Sequence, residues 1–329
     1  MNKAGSSIAA LVPTYRRPDI LRKCLEGFAK QTRQADELLV VVRDTDGETR
    51  AALDELSRIA PNTRILTVSA PGQVAALNLA LSEFRSDILA ITDDDAVPRP
   101  DWLERIGEHF ARDPRLGGLG GRDHTWANGV PDEGKVTVFG KIDWWGRPVG
   151  LTHVSSGPPR EAEILKGANM SYRGTAIQGL RFDSRLWGAG AEAGNDVAFG
   201  LAVKRAGWGL LVDPAVIVDH YPAEKMDYDK RGSFSRQAMI DQGHNQTLIL
   251  MDHLGSVRRI VFVLWAVLLG MRVHPGILQW VRLELGGDPE AFSKLTATLS
   301  GRTAGLRTWW RARNRRPTAT AWSETRDPA

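Results

Sequence analysis

A single cysteine, Cys24, in 329 residues leaves no partner for an internal disulfide. Stability must therefore come from a packed core, and a reducing, cytoplasmic setting fits. Cys24 lies in the helical pattern "ILRKCLEGF" and reads as a buried thiol without chemistry. Long apolar runs are missing as well. The longest, Ile260 to Met271, has 12 residues, whereas a membrane-spanning helix needs roughly 20. The opening "MNKAGSSIAALVP" holds too short an apolar run to act as a secretory signal. There are no internal repeats and no heptads. Acid is scarce in one stretch only: residues 256–316 carry 11 Lys/Arg against Glu284, Asp288 and Glu290, a local excess of +8 in a chain whose net charge is +4.

With 42% hydrophobic and 25% charged residues, the chain can build a sizeable core. Over its first 120 residues, short β-rich runs alternate with helical patterns. "SIAALVP", "ELLVVVR", "TRILTVS" and "DILAIT" read as strands. The helices expected between and after them run from about Asp19 to Lys30, Glu48 to Ile59, Gln73 to Phe84, and through "PDWLERIGEHFARD", which Pro100 and Asp101 would start. This alternation predicts an α/β fold with a mostly parallel sheet and right-handed crossovers. Residues 121–165 read as irregular and rich in Gly and Trp. A Gly-rich loop (186–195), a helix from about Asp196 to Ala206 and the strand "VDPAVIVDHYP" follow. After Tyr221 the chain reads as helices, with a polar, disordered tail over 317–329.

In parallel sheets, ligands bind beyond the carboxyl ends of the strands. The segments there are "PTYRRP", "RDTDGE", "APGQ" and "DDD". Asp93, Asp94 and Asp95 at the tip of an apolar strand repel one another and call for a positive partner. Asp93 and Asp95, spaced D-x-D, can converge on one divalent cation, and Mg²⁺ or Mn²⁺ would then bridge them to a diphosphate. Read alone, the same triplet is a solvated turn before a helix.

The blocks "LVPTYRRPDILRKCLEGFAKQ", "PGQVAALNLAL", "ITDDDAVPRPDWL", "LKGANMSYRG", "GNDVAFGLAVKRAGW" and "DPAVIVDHYP" occur in that order. In this the chain resembles a family 2 glycosyltransferase of the GT-A fold over roughly residues 6–222. The resemblance implies a Rossmann-like catalytic domain over 1–222, its nucleotide-binding half about 1–120 and its acceptor half about 121–222. A helical, basic C-terminal extension over 223–316 would follow. It implies inverting, metal-dependent transfer of a sugar from a nucleotide-diphosphate sugar to an acceptor hydroxyl on a glycan or a lipid, as in bacterial surface polysaccharide or glycolipid synthesis.

Residue by residue, the resemblance implies Asp196 as the general base. Asn195 stands there where the family usually has a Glu before the Asp, and Glu192 is the reserve base on the acceptor side. Asp93, Asp95 and His220 would hold Mg²⁺ or Mn²⁺, with Asp219 facing away. Pro13, Thr14, Tyr15, Arg17, Gln73, Asn78 and Asp94 would line the nucleotide-sugar site. Asp44 is favoured for a base contact over Asp46, because Arg43 occupies the family's usual first acidic position. Leu77 replaces a common Arg. Gly167 would allow close backbone approach, Asn169 would bond a sugar hydroxyl, and Trp187 would meet the acceptor.

The basic tail, "SVRRIVFVLWAVLLG" and "GLRTWWRARNRR", suits either an anionic membrane surface, peripheral to the inner face of the cell membrane, or packing on the core. Nucleic acid is disfavoured, since no recognised module accompanies the charge. Competing functions are a nucleotidyltransferase, a dinucleotide oxidoreductase, and a catalytically impaired sugar-nucleotide or glycan-binding protein of the same fold. The first lacks a Gly-rich basic loop after the first strand, and the second lacks G-x-G-x-x-G there.

Overall fold

The computed structural model describes residues 5–127, 129–150, 152–223, 228 and 233–314, and the tail over 317–329 lies outside the described residues. The chain begins with β1 (Ile8–Thr14), α1 (Pro18–Ala29), β2 (Glu37–Arg43), α2 (Gly47–Leu56), β3 (Thr63–Val68), α3 (Gln73–Glu83), β4 (Ile88–Ile91), β5 (Ala96–Pro98) and α4 (Trp102–Arg112). It continues through β6 (Leu116–Ala127), β7 (Val130–Pro131), β8 (Lys141–Ile142), β9 (Pro148–Val149), β10 (Arg160–Glu161), β11 (Met170–Arg173), α5 (Gly174–Ile177), α6 (Asn195–Arg205) and β12 (Gly209–His220). The C-terminal helices are α7 (Arg236–His253), α8 (Ser256–Leu268), α9 (Ile277–Leu285) and α10 (Ala291–Asn314).

The main sheet has the order β10-β12-β6-β11-β4-β1-β2-β3, with β5 on β12 and β7 on β6. β4, β1, β2 and β3 run parallel, β6 and β12 run parallel, and β11 runs antiparallel between the two groups. The four expected βα units have ends within three residues of the pattern reading. Asp101 precedes α4, but its carboxylate pairs with Arg105 and makes no cap bond.

Alternation along β1 explains the near-continuous apolar strand. Ile8, Ala10 and Val12 enter the core shared with α1, α2 and α4, while Ala9 and Leu11 enter the core shared with α3 and α6. The strand order reverses between β1 and β4, because β2 and β3 lie on one side of β1 and β4 on the other. The carboxyl ends of these two neighbours bracket a crevice, the preferred ligand position in such sheets.

The reading of 121–165 as irregular is corrected by β6, which runs twelve residues to Ala127. Its glycines, which look like turn signals, serve close approach instead. A Cβ at Gly117 would overlap the Trp208 side chain, and one at Gly121 would overlap the Val216 carbonyl and the Asn169 amide.

Asn169 is likewise corrected from a sugar-binding role. It is buried, accepts from Trp102 Nε1 at 2.9 Å, and donates to the carbonyls of Arg122 at 3.1 Å and Val216 at 2.9 Å. It thereby ties α4, β6 and β12 together. Asn169→Ala is expected to cost about 3 kcal/mol, because it strands buried partners that water cannot reach. Urea unfolding followed by tryptophan fluorescence measures this, and a loss under about 0.5 kcal/mol, as at an ordinary surface site, would refute it.

No helix among the described residues is long and apolar enough to cross a membrane. One face of α8 packs Phe262, Trp265 and Ala266 against Leu250, Met251 and Leu254. Along α10, Gly301 and Gly305 let the backbone of α7 approach closely: a Cβ at either would overlap the Ile240 or His244 carbonyl.

Candidate active site

A cavity of about 560 Å³ opens at the reversal point, within the range of ligand sites in general. Its walls come from the β1–α1 turn, the start of α3, the aspartate triplet, Lys166–Ala168, the 189–196 loop and the end of β12.

The triplet is resolved by sending each carboxylate to a different partner. Asp93 and Asp94 continue the alternation of β4, so one turns toward α3 and the other toward α1. Asp93 Oδ1 accepts from Gln73 Nε2 at 3.2 Å. Asp94 accepts from the Thr14 hydroxyl at 2.7 Å and from Arg17 at 3.2 Å. Asp95 follows the turn and reaches the far wall, where Oδ1 lies 3.3 Å from His220 Nε2 and Oδ2 accepts from the Ala223 amide at 2.9 Å.

Burial and the neighbouring Asp95 charge push Asp93 up to about 7. Burial pushes Asp94 up to about 6 against the pull of Arg17. Burial acts the same way on Asp95, but the His220 imidazole outweighs it and holds Asp95 below the usual aspartate value. Burial alone would depress His220; the carboxylates of Asp123, Asp95 and Asp93 outweigh it and raise the imidazole to about 9.

Asp123 is fully buried behind His220, with Oδ2 3.7 Å from Nδ1. It is held by Thr152 and by an ion pair with Lys166, which itself reaches the cavity wall. Asp219 faces away, bound by Arg99 and close to His124 and Trp126.

Across the cavity, Asp196 occupies the first turn of α6. Gly194, in the left-handed region at φ 88°, is the N-cap, so Asp196 is not the capping residue. Its carboxylate accepts from the Gly167 amide at 2.9 Å and the Val197 amide at 2.8 Å. Burial nevertheless raises its pKa, with those two amides opposing. A Cβ at Gly167 would lie 3.6 Å from this carboxylate, an ordinary contact, so glycine is not sterically required there. Asn195 donates to Gln73 Oε1 at 3.2 Å and to the Glu192 carbonyl at 3.1 Å. A carboxylate at that position could not donate, and would add a further negative charge to a wall already holding Asp93–Asp95 and Asp196.

Asp95 and Asp93 offer carboxylate oxygens on one wall, which suit a hard divalent ion; His220, raised to about 9, would add a nitrogen only on giving up its proton as the metal binds. Among the described residues, no group of three or more His, Cys, Asp and Glu side chains is placed to hold a metal ion by itself. Such a partial set is what Mg²⁺-type sites finished by substrate phosphates use.

Residues 5–233 match the family described as "Glycosyltransferase like family 2". The chain belongs to this family. Glycosyltransferase AglE of Haloferax volcanii is 30% identical over 101 residues, 30% of this chain and 33% of that protein. Protein CgeD of Bacillus subtilis is 25% identical over 120 residues, 33% of this chain and 28% of that protein. The chain thus spans about a third of the length of these curated relatives. The mannosyltransferase PcManGT from Pyrobaculum calidifontis, in complex with GDP-Man and Mn²⁺, matches with a TM-score of 0.54 at 15% identity, over 94% of this chain and 88% of that one. S. aureus TarS 1–349, in complex with UDP-GlcNAc, matches with a TM-score of 0.58 at 14% identity, over 92% and 89%. The shared architecture is the GT-A fold, extended here by C-terminal helices.

In this member of the family, the cavity gathers Pro13, Thr14, Tyr15, Arg17, Gln73, the three aspartates, Gly167, Asp196 and His220. It leaves out several residues assigned from sequence. Asn78 exchanges two hydrogen bonds with the Phe182 backbone, at 2.9 and 2.8 Å, and so anchors a loop rather than a nucleotide. Glu192 turns into α3 and accepts from the Val74 amide at 3.1 Å, in place of the side-chain cap that Gly72 cannot supply. The Trp187 ring stacks on His244 at 3.9 Å, outside the cavity wall. Leu77 is core. Arg43, Lys166, Asn195 and the buried Asp123 are the contributors that the sequence reading did not select. Lys166 lies in "LKGANMSYRG", one of the segments that carry the family resemblance, whereas Asp123 sits in a stretch whose pattern reads as irregular.

Asp44 is exposed and off the wall, while Arg43 lines it. Asp46 is fully buried; it accepts from the Thr49 amide at 3.0 Å as the N-cap of α2, and from the Arg16 amide at 2.6 Å. Arg16 has φ 56°, so Asp46 holds a strained turn at the cavity mouth. Asp46→Ala is expected to lower stability by about 1–2 kcal/mol, while Asp44→Ala changes nothing. Equal unfolding midpoints for the two variants would overturn this assignment.

Proposed function

We propose that this chain transfers a sugar, with inversion, from a nucleotide-diphosphate sugar to an acceptor hydroxyl. The observation that carries the reading is one cavity with Asp93, Asp95 and His220 on one wall and Asp196 on another. The ligands bound in the structural neighbours, GDP-Man with Mn²⁺ and UDP-GlcNAc, support a donor of this class.

Asp95 and His220, with Asp93, would hold Mg²⁺ or Mn²⁺, which would neutralise charge on the departing diphosphate. Thr14, Tyr15 and Arg17 bound the nucleotide end. Asp196 takes the acceptor proton as the acceptor oxygen bonds to the anomeric carbon. The bond from that carbon to the diphosphate breaks on the opposite face, and its electron pair leaves with the phosphate. The Gly167 and Val197 amides aim the Asp196 carboxylate and keep it available as a base. Asp123 sets a negative charge behind His220, 3.7 Å from Nδ1. A lipid-linked or glycan acceptor at the cytoplasmic face of a membrane, in surface polysaccharide or glycolipid synthesis, completes the reading.

Asp196→Asn is expected to reduce kcat about 10²- to 10⁴-fold, the usual worth of a general base, with donor affinity unchanged. A panel of UDP- and GDP-sugars with Mn²⁺ and simple acceptors tests it. Full activity in Asp196→Asn would sink the base assignment, and donor binding without any turnover in the native chain would favour a binding protein.

The pH profile adds a second check. The base works deprotonated and its pKa is raised, so activity should fall on acidification at a pH above the ordinary aspartate value of 3.8. An acid limb at or below that value would contradict the burial argument.

A further inference from the structure

The α8–α9 pair presents an apolar face that the transfer reaction does not use. Along α8, Val257, Ile260, Leu264 and Leu268 are 67%, 63%, 56% and 50% exposed. Their spacing of three, four and four residues places them on one line, opposite the buried Phe262, Trp265 and Ala266. A tight reversal follows, with the Gly276 amide donating to the Leu269 carbonyl and a bridge between Gly270 and Pro275. It lays α9 against α8. On α9, Ile277, Leu278, Val281 and Leu285 are exposed as well, the last at 85%. Val273, in the reversal between them, is also exposed. So many exposed large apolar side chains in one short stretch go beyond the scattered single ones of an ordinary surface.

The adjoining face of α9 is of a different kind. Gln279, Arg282, Leu283 and Gly286 line a second cavity of about 500 Å³, together with Arg147 and Arg272. Arg147 is paired with Asp143, and Asp288 at the cavity edge is paired with Lys294. Among the described residues, Arg272 and Arg282 form no ion pair. An arginine-lined recess therefore sits beside an exposed apolar face, in the stretch whose local charge is +8.

We propose that this face docks on an anionic lipid bilayer, with apolar side chains entering the acyl boundary and Arg272 and Arg282 meeting phosphate headgroups. α8 has 13 residues, about 20 Å of helix against a hydrocarbon core of about 30 Å, so it lies in the interface and does not span. Charge decides against a second copy of this chain as the occupant: face-to-face packing would bring the arginine rims together, whereas an anionic headgroup plane complements them. The surface is independent of the sugar-transfer chemistry.

The test is flotation of the full chain with phosphatidylcholine vesicles containing or lacking phosphatidylglycerol. Binding is expected to the anionic vesicles and to weaken with salt. Arg272→Ala with Arg282→Ala should lower partitioning roughly 30-fold, about fivefold per basic residue. Ile260→Ser, Leu264→Ser and Leu285→Ser together should abolish binding. These positions are exposed, so thermal unfolding and sugar-nucleotide binding should stay as in the native chain, which separates failure here from failure of the transferase reading. No binding to anionic vesicles, binding unaffected by either set of changes, or a dimer by light scattering that the serine changes dissociate would each overturn the proposal.

Discussion

Three consecutive carboxylates at the end of a buried strand coexist only because each is met by a different part of the chain. The β1–α1 turn answers Asp94, the first residue of α3 answers Asp93, and the end of β12 with Ala223 answers Asp95. None of these contacts is local in sequence apart from the turns that aim the side chains. The cavity therefore cannot form until β1, α3, β4 and β12 have all docked. The site is complete only where these elements meet, and the surrounding polar contacts hold the repulsion among the aspartates in check.

The same constraint explains the departure at Asn195. A hydrogen-bond chain runs from the Asn195 amide to Gln73 and from Gln73 to Asp93. It crosses from the α6 side of the cavity to the triplet with donors pointing one way throughout. A Glu at 195 would break that direction and crowd a fourth acidic group toward the triplet. Opposite, Asp123 and His220 form the counterpart, a buried carboxylate behind an imidazole that faces Asp95. Each wall is thus supported from behind by a group with no need to touch a ligand.

The architecture was readable because β1 to α4 follow simple periodicities: continuous apolar strands, helices of ten to twelve residues, and turn residues between them. The cavity was readable where a residue's position fixes its direction, as for Asp93 at a strand end or Asp196 at a helix start. It was not readable where a polar side chain chooses between solvent, ligand and a distant backbone. Asn78, Asn169 and Glu192 all looked free to bind, and all are engaged with main-chain groups far away in sequence. Neither Asp44 nor Asp46 lines the cavity, and Asp46 is spent on the Thr49 and Arg16 amides. β6 was missed because its glycines mark contact with Trp208 and Val216, a tertiary fact that no local pattern carries.

Asn245 on α7 accepts from the Trp187 amide and donates to the Trp187 and Ala193 carbonyls, so a helix beyond the sheet grips the loop that forms one side of the cavity. The neighbouring His244 stacks on Trp187 and bonds Thr308 of α10, where Gly305 permits the close crossing. For protein engineering, loop 186–195, α7 and α10 are therefore one exchangeable unit. A chimera that swapped the C-terminal helices without the loop, or the loop without the helices, would part Asn245 from Trp187 and Ala193, and His244 from Trp187.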